Sequence, residues 1–139
     1  MVDTLSTEER SRLMSRIRGK DTKPERVVRK LLHSMGYRFR LHRKDLPGTP
    51  DIVLPKHQKV IFVHGCFWHQ HPNCTRASIP KTRTDFWAAK LSKNATRDME
   101  AIAELEGLGW FVMIVWECEL RDLEKLTLAL HNFLKNNNK

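Results

Sequence analysis

The stretch Lys59-Val-Ile-Phe-Val-His64-Gly-Cys66-Phe-Trp68-His69-Gln-His71-Pro-Asn-Cys74 decides the fold of this chain. It begins as an apolar, β-branched run, Val60 to Val63, which predicts a buried strand that ends near Gly65. Three of the seven histidines and two of the three cysteines follow that strand directly. So many titratable and metal-ligating side chains indicate a functional site at the carboxyl end of the strand, rather than a chance cluster in a surface loop.

The overall charge favours a polyanionic partner. Lys and Arg number 25 against 16 Asp and Glu, which gives a net charge of +9 and a pI near 9.8, and such an excess is typical of nucleic-acid-binding proteins. The length of 139 residues predicts a single domain, 1–139. The amino terminus has no apolar signal segment, and the longest apolar run is shorter than a membrane span, so a soluble cytosolic protein is expected. An odd number of cysteines argues against a disulfide framework and for buried thiols or metal ligands.

Two capping boxes predict the first two helices. Ser6-Thr-Glu-Glu9 opens an arginine-rich helix, so residues 1–20 are expected to form a basic DNA-binding arm, with a solvated helix as the alternative. Thr22-Lys-Pro24-Glu25 opens a second helix that runs to Gly36. From this helix alone, Glu25 is explained by its reciprocal capping role.

Short apolar segments predict the strands of a sheet. Residues 37–41 alternate as a first strand, and Asp51-Ile-Val-Leu54 follows a turn-rich loop as a second. A polar turn joins this second strand to the run at Val60, which predicts a hairpin that carries a metal-binding carboxylate; a turn-stabilising aspartate is the alternative. Residues 110–116 are apolar throughout, as a central strand buried on both faces would be. With the intervening helices, this order predicts an α/β sheet with helices on its faces.

A long amphipathic helix is predicted from Asp85 to about Glu106, and a final one from Asp122 to about Leu134. The apolar positions of the long helix recur at spacings of four and three, and Asp98 falls within that stripe. A carboxylate desolvated there needs a cation, a donor cluster or a metal beside it. The other side of the long helix is basic and polar and suits DNA; it carries Lys90, Lys93, Asn94 and Arg97.

Two sets of metal ligands can be assembled from these elements. The first is soft and would close a structural zinc site, with buried free cysteines as the alternative; it comprises His71, Cys74, Asp98 and Cys118. The second is hard and titratable and suits Mg²⁺-dependent phosphodiester hydrolysis, which needs carboxylates and a base for the attacking water; it comprises Glu25, Asp51, His64 and His69. Rings beside the second set would stack on or wedge between bases, with core packing as the alternative; they are Phe67, Trp68 and Trp87.

Five motifs carry a family resemblance. They are Leu46-Pro-Gly-x-Pro-Asp51, Ile61-Phe-x-His64-Gly-Cys66-Phe-Trp68-His69, Thr82-Arg-Thr-x-Phe-Trp87, Lys93-Asn94-x-x-Arg97-Asp98 and Leu108-Gly-Trp-x-Val-x-Ile-Val-Trp-Glu-Cys118. Together they resemble the very-short-patch repair endonuclease family, Vsr. The resemblance implies a restriction-endonuclease-like fold, with a central mixed sheet and a structural zinc site. It also implies an enzyme that nicks double-stranded DNA on the 5′ side of the thymine in T:G mismatches left by deamination of 5-methylcytosine. The alternatives are a non-catalytic, zinc-stabilised DNA-binding module and a restriction-like nuclease that reads an intact sequence.

The resemblance further implies roles for individual residues. Asp51 would bind Mg²⁺ together with the main-chain carbonyl of Val63, while Glu25 and His64 would hold the metal-bound waters. His69 would be the general base. The soft set would be the structural zinc site. The histidine-rich run has one residue more than the family pattern, so both His69 and His71 stay open as the zinc-binding histidine.

DNA contacts are implied for several side chains. The rings of Phe67, Trp68 and Trp87 would intercalate next to the mismatch from the major groove, and Lys90 and Asn94 would read the mismatched bases. The basic amino-terminal helix with Met14 would grip the other groove. Double-stranded DNA with a T:G mismatch is then the substrate, mismatch-repair proteins are candidate partners, and a monomeric, nucleoid-associated bacterial protein is expected.

Overall fold

The computed structural model describes residues 22–135 and shows an α/β fold built on a four-stranded mixed sheet. The strands lie in the order β1 (Arg40–Leu41), β2 (Ile52–Leu54), β3 (Lys59–His64) and β4 (Phe111–Trp116). The first three strands pair antiparallel, and β3 and β4 pair in parallel. The predicted mixed sheet is therefore confirmed. The predicted amino-terminal helix, with Met14, lies outside the described residues.

Helices cover both faces of this sheet. They are α1 (Lys23–Ser34), α2 (Thr84–Gly107) and α3 (Leu123–Lys135). Because alternate residues of a strand point to opposite faces, Ile61 packs with residues of α1 and α3, while Val60 packs with Leu105 of α2. Within the described part of the chain, every helix is too short or too polar to cross a membrane.

The first turn of α1 forms as its capping box predicts. The hydroxyl of Thr22 accepts a hydrogen bond from the backbone amide of Glu25 at 3.4 Å, and the Glu25 carboxylate accepts one from the backbone amide of Thr22 at 3.1 Å. Val28 and Leu32 on the same helix are fully buried. The cap and this apolar face together fix where Glu25 lies relative to the sheet.

Two strands differ from the prediction. β4 lies at an edge of the described sheet rather than at its centre, and β2 and β3 are the strands with neighbours on both sides. The apolar run of β4 reflects the cover on its two faces, since Ile114 and Val115 pack on different core clusters. The apolar run of β4 therefore does not indicate whether one or both edges of that strand pair with other strands. The first strand is also shorter than residues 37–41, because only Arg40–Leu41 pairs with β2.

A buried lysine ties α3 to the sheet. Lys59 is 2% exposed, and its Nζ donates to the carbonyl oxygens of Phe133 at 2.7 Å and Leu134 at 2.9 Å. Those carbonyls belong to the last turn of the described helix, where the carbonyl oxygens lack intrahelical partners. Burial lowers the pKa of Lys59. The amino end of β3 is thereby anchored, and its other end leads to the cluster of histidines and cysteines.

Candidate active site

A cleft of about 1110 Å³ collects side chains from the start of α1, the start of β2, the end of β3 and the middle of α2. The four side chains predicted as the hard ligand set all line it: Glu25, Asp51, His64 and His69. They come from parts of the chain that are up to 44 residues apart, counted from 25 to 69. The structure therefore brings the predicted catalytic set together in one place.

Glu25 uses its two carboxylate oxygens differently. Oε2 accepts hydrogen bonds from the backbone amide and the hydroxyl of Thr22, each at 3.1 Å. Oε1 lies 2.7 Å from Nε2 of His42 and 3.5 Å from Nη2 of Arg29. The residue is only 3% exposed. One oxygen thus caps the helix, and the other lies among polar groups at the cleft.

Asp51 lies directly before β2 with its carboxylate partly buried. Its Oδ2 accepts a hydrogen bond from the backbone amide of Val63 at 2.7 Å, and its Oδ1 is 3.9 Å from Nε2 of His42. Burial raises the pKa of Asp51 to about 6; the amide of Val63 acts against this rise and the negative charge of Glu25 adds to it. A carboxylate whose ionised form is disfavoured in this way is poised to receive a cation.

Two histidines form a stacked pair at the end of β3. The rings of His64 and His69 are 3.8 Å apart between centroids and inclined by 7°. His64 is 4% exposed, and burial, together with the neighbouring His69, lowers its pKa to about 4. His64 is therefore neutral at physiological pH. Among the described residues, no hydrogen-bond partner faces its buried Nδ1.

His69 is held by a carboxylate from α2. Its Nδ1 lies 2.6 Å from Oδ2 of Asp98. A neutral imidazole that donates its Nδ1 proton to a carboxylate keeps Nε2 unprotonated, which is the tautomer of a general base. The two side chains are 29% and 25% exposed, so water can reach the pair. The arrangement can therefore orient a base towards the cleft and stabilise the imidazolium that forms when it accepts a proton.

Three thiols and one imidazole gather in the turns after β3 and β4. One ligand atom from each of Cys66, His71, Cys74 and Cys118 lies within 4.8 Å of all the others. Nδ1 of His71 is 3.7 Å from Sγ of Cys66 and 3.5 Å from Sγ of Cys118. All three cysteines are free of disulfides. Burial raises the pKa of the Cys66 thiol to about 12, so a thiolate at this position requires a cation beside it.

The predicted membership of this thiol group is corrected in one place. Asp98 was expected to join His71, Cys74 and Cys118, but its carboxylate lies against His69 in the cleft, and Cys66 takes the fourth position. The spacing of apolar residues placed Asp98 on the sheet-facing side of α2, yet it could not tell which histidine of the loop the carboxylate would meet. The structure also separates the two histidines left open by the sequence, because only His71 joins the thiols.

Aromatic rings gather at one end of the cleft, where Phe67 and Trp68 line it. Phe67, Trp68 and Trp87 contact one another with centroids 5.1 to 6.0 Å apart, and each is half-buried. Phe86 extends this group and is 44% exposed, with the guanidinium carbon of Arg83 4.3 Å from its ring centroid. The predicted polar face of α2 borders the rings, since Asn94 Nδ2 donates to the carbonyl of Trp68 at 3.3 Å. Lys93 and Arg97 are exposed and Lys90 is half-buried.

Comparison with known proteins agrees with this geometry. Residues 2–76 match the family model described as DNA mismatch endonuclease Vsr. The chain belongs to the Vsr family. It is 55% identical over 134 residues to the type II nicking enzyme V.XorIIP of Xanthomonas oryzae pv. oryzae, a match that covers 96% of this chain and 98% of that protein. It is 46% identical to the DNA mismatch endonuclease Vsr of Escherichia coli K12, over 91% of this chain and 81% of that one.

A solved nuclease shares the fold of this Vsr-family chain. The catalytic domain of the homing endonuclease I-Bth0305I matches with a TM-score of 0.58 over 81% of this chain and 94% of that domain. The identity is 23%, so the likeness concerns the fold alone. The family resemblance inferred from the five motifs is confirmed, and the chain is an endonuclease of a DNA-acting family.

His42 was not predicted as part of this Vsr-family site, and Cys66 was counted in the cluster after the strand but was not predicted as a zinc ligand. A signal for His42 exists, because β1 pairs Leu41 with Ile52, and one further step of that register sets position 42 opposite position 51. Cys66 lies two residues after His64, the last residue of the buried strand, and it is itself fully buried. A cysteine in that place is more often an ordinary core residue, which is why its spacing to the other thiols was overlooked.

Proposed function

We propose that this protein nicks double-stranded DNA on the 5′ side of the thymine in T:G mismatches that arise from 5-methylcytosine deamination. The observation that carries the proposal is the single cleft in which a carboxylate pair, a histidine–aspartate pair and an aromatic cluster lie side by side. A module that only binds DNA has no use for carboxylates at the phosphate, because they repel the ligand. Membership in the Vsr family supports the same reaction.

The donor set fits a hard divalent cation. Asp51 supplies an oxygen ligand, and its raised pKa reflects a charge that a bound cation would compensate. Mg²⁺ would be held by the Asp51 carboxylate and the main-chain carbonyl of Val63, whose amide already contacts that carboxylate. Glu25 and neutral His64 would orient water around the site. When bound, the cation supplies charge stabilisation to the phosphorane-like transition state.

His69 acts as the general base in this proposal. The Asp98 carboxylate at Nδ1 leaves Nε2 as the acceptor, and it stabilises the imidazolium formed when the attacking water loses its proton. His64 stacks on His69 and is neutral because its burial lowers its pKa. A neutral ring at this distance adds no positive charge that would oppose protonation of the base.

The aromatic cluster at the end of the cleft suits recognition of a mismatch. Phe67, Trp68 and Trp87 would enter the base stack, where each stacked base contributes roughly 1–3 kcal/mol, and a mismatched pair costs less to unstack than a paired one. Lys90 and Asn94 would read the mismatched bases, while Lys93 and Arg97 would contact phosphates. The amino-terminal arm with Met14 would hold the opposite groove. The protein would act as a monomer, with mismatch-repair proteins as partners.

Zinc is the cation that best suits the cluster of three thiols and one imidazole. Three thiolates and one imidazole close a tetrahedral site, which is the pattern of structural rather than catalytic zinc. The four ligands of the proposed site are Cys66, His71, Cys74 and Cys118. Because Cys118 follows β4 and the other three lie in the loop after β3, zinc would join the two loops that border the cleft.

Strand-specific nicking of three duplexes of one sequence tests this function. With Mg²⁺, the T:G duplex should be nicked on the 5′ side of the thymine, whereas the matched and the 5-methylcytosine duplexes should stay intact. Nicking of the matched duplex at a similar rate would instead indicate a nuclease that reads an intact sequence. Binding without nicking would indicate a non-catalytic module.

Asp51→Asn separates binding from cleavage in the same assay. Loss of the charge that holds the cation should lower the nicking rate by roughly a thousandfold or more, because several kcal/mol of transition-state stabilisation are removed. Affinity for the T:G duplex should persist or rise. Glu124→Gln removes one charge from the exposed side of α3 and serves as the matched control. Wild-type nicking by Asp51→Asn would place the active site elsewhere.

A further inference from the structure

His42 lies beside the carboxylates of Glu25 and Asp51, although the Vsr motifs of this chain assign it no catalytic role. Its Nε2 is 2.7 Å from Oε1 of Glu25 and 3.9 Å from Oδ1 of Asp51. One ligand atom from each of these three side chains lies within 4.8 Å of the other two. All three are largely withdrawn from solvent, with side chains 12%, 4% and 22% exposed respectively.

The backbone holds His42 in this place at some conformational cost. Its φ is +46°, in the left-handed region that a residue with a side chain seldom occupies. Its backbone amide donates to the carbonyl oxygen of Asp51 at 3.2 Å, so the unusual conformation is fixed by the residue whose carboxylate it approaches. Strained backbone of this kind is characteristic of ligand-binding and active sites.

We propose that His42 is a direct nitrogen ligand of the divalent cation held by Asp51, and that it shifts the preference of the site towards Mn²⁺ and similar transition ions. Adjacent ligands of a six-coordinate cation at about 2.1–2.2 Å lie about 3 Å apart, and opposite ligands lie about 4.3 Å apart. The 3.9 Å between Nε2 of His42 and Oδ1 of Asp51 falls between these two values, so small side-chain shifts bring both atoms to one cation, while the 2.7 Å contact with Glu25 is within hydrogen-bond distance. The inference rests on the cation site of the proposed function.

The chemistry of the ligand set gives the direction of the preference. Mg²⁺ strongly favours oxygen ligands. Imidazole nitrogen binds zinc and cobalt best, Mn²⁺ less well, and Mg²⁺ and Ca²⁺ least. A site in which an imidazole joins the Asp51 carboxylate therefore gains more with Mn²⁺ than with Mg²⁺. The competing role for His42 is that of a positioning residue, which only donates a hydrogen bond to Glu25 and never touches the cation.

Pulsed electron paramagnetic resonance of Mn²⁺ distinguishes these roles without any DNA or turnover. Zinc is first bound at Cys66, His71, Cys74 and Cys118. Mn²⁺ bound to the wild-type protein should then show the ¹⁴N coupling of one directly bound imidazole. His42→Gln, whose amide can still donate to Glu25, should lose that coupling. His64→Gln and His69→Gln should keep it, and His131→Gln on the exposed side of α3 is the matched control.

Binding constants for the two ions provide the second measurement. His42→Gln should weaken Mn²⁺ binding about tenfold or more, which is the usual effect of changing a residue at a metal site. It should change Mg²⁺ binding by less than about twofold. Equal weakening for the two ions, or ¹⁴N coupling that persists in His42→Gln, would overturn the inference and leave His42 as a positioning residue. Absence of imidazole coupling in the wild type would overturn it as well.

Asp51→Asn separates failure of this inference from failure of the proposed function. If Mn²⁺ binds the wild type but not Asp51→Asn, the cation site is correct whatever the ¹⁴N signal shows, and the signal alone decides the role of His42. If Asp51→Asn binds Mn²⁺ as tightly as the wild type, the cation lies elsewhere, and both the proposed site and its nitrogen ligand are refuted.

Discussion

Replacement of Asp51 by asparagine should stabilise the folded protein while it abolishes cleavage. Burial raises the pKa of Asp51 to about 6 from the 3.8 of an ordinary aspartate, against the opposing amide of Val63 and with the help of the charge on Glu25. A gap of about two units corresponds to about 3 kcal/mol, at about 1.4 kcal/mol per unit. Asparagine keeps an oxygen for the amide of Val63 but has no charge to bury.

The pH dependence of this effect follows from the direction of the shift. Because the folded-state pKa lies above the unfolded value, the protonated carboxyl favours folding at pH below about 4, and that contribution is lost as the pH rises through 6. The advantage of Asp51→Asn should therefore be about 3 kcal/mol at pH 7.5 and about half of that at pH 5.

Urea unfolding followed by tryptophan fluorescence measures this advantage. No Mg²⁺ is added, zinc is retained in both proteins, and Glu124→Gln serves as the control at each pH. Added Mg²⁺ should then narrow the gap, because it binds only the folded wild type and stabilises it by about 2.7 kcal/mol at a hundred times its Kd. Equal stability of variant and wild type at pH 7.5, or an advantage that does not shrink at pH 5, would refute the electrostatic account.

Three other perturbations address separate parts of the molecule. Asp98→Asn should lower the nicking rate by roughly 10²–10⁴-fold with DNA affinity unchanged, because His69 loses the carboxylate that fixes its tautomer; an unchanged rate would remove Asp98 from the mechanism. Cys66→Ser should reduce the zinc content from about one per chain and lower the soluble yield and Tm, whereas full zinc and an unchanged Tm would exclude Cys66 as a ligand. Lys93→Ala should reduce the dependence of log Kd on log salt by about one unit, and Lys125→Ala on α3 is the control that should leave it unchanged.

Much of the fold follows from local signals in the sequence. The capping box at Thr22, the β-branched run at Val60 and the spacing of apolar residues in the long helix each depend on neighbours within a few positions, and each is confirmed within one or two residues. The edge position of β4 was not predictable in this way. It depends on which strands pair, and two strands with the same apolar run can differ in their number of neighbours.

The site shows the same division. Hard and soft ligands were recognised from residue type, and the hard set lines one cleft. The predicted grouping of Asp98 with the thiols was wrong, because helical periodicity fixes the face on which a residue lies but not which loop residue lies opposite it. His42 was overlooked because its meaning comes from strand register, which sets it opposite Asp51, and from a left-handed backbone conformation that no residue-type pattern reveals.

One short turn couples the proposed zinc ligands to His69, the proposed general base. The backbone amide of His69 donates to the carbonyl of Gly65 at 3.1 Å, and that of His71 donates to the carbonyl of Cys66 at 2.9 Å. The ring of His71 also stacks on Trp116 at 4.2 Å, which connects the turn to the end of β4. Since His69 and His71 belong to the same turn, a cation that fixes His71 also limits how far His69 can move away from Asp98. Loss of the cation should therefore slow cleavage before the sheet unfolds, because general-base geometry tolerates far less displacement than the packed core does.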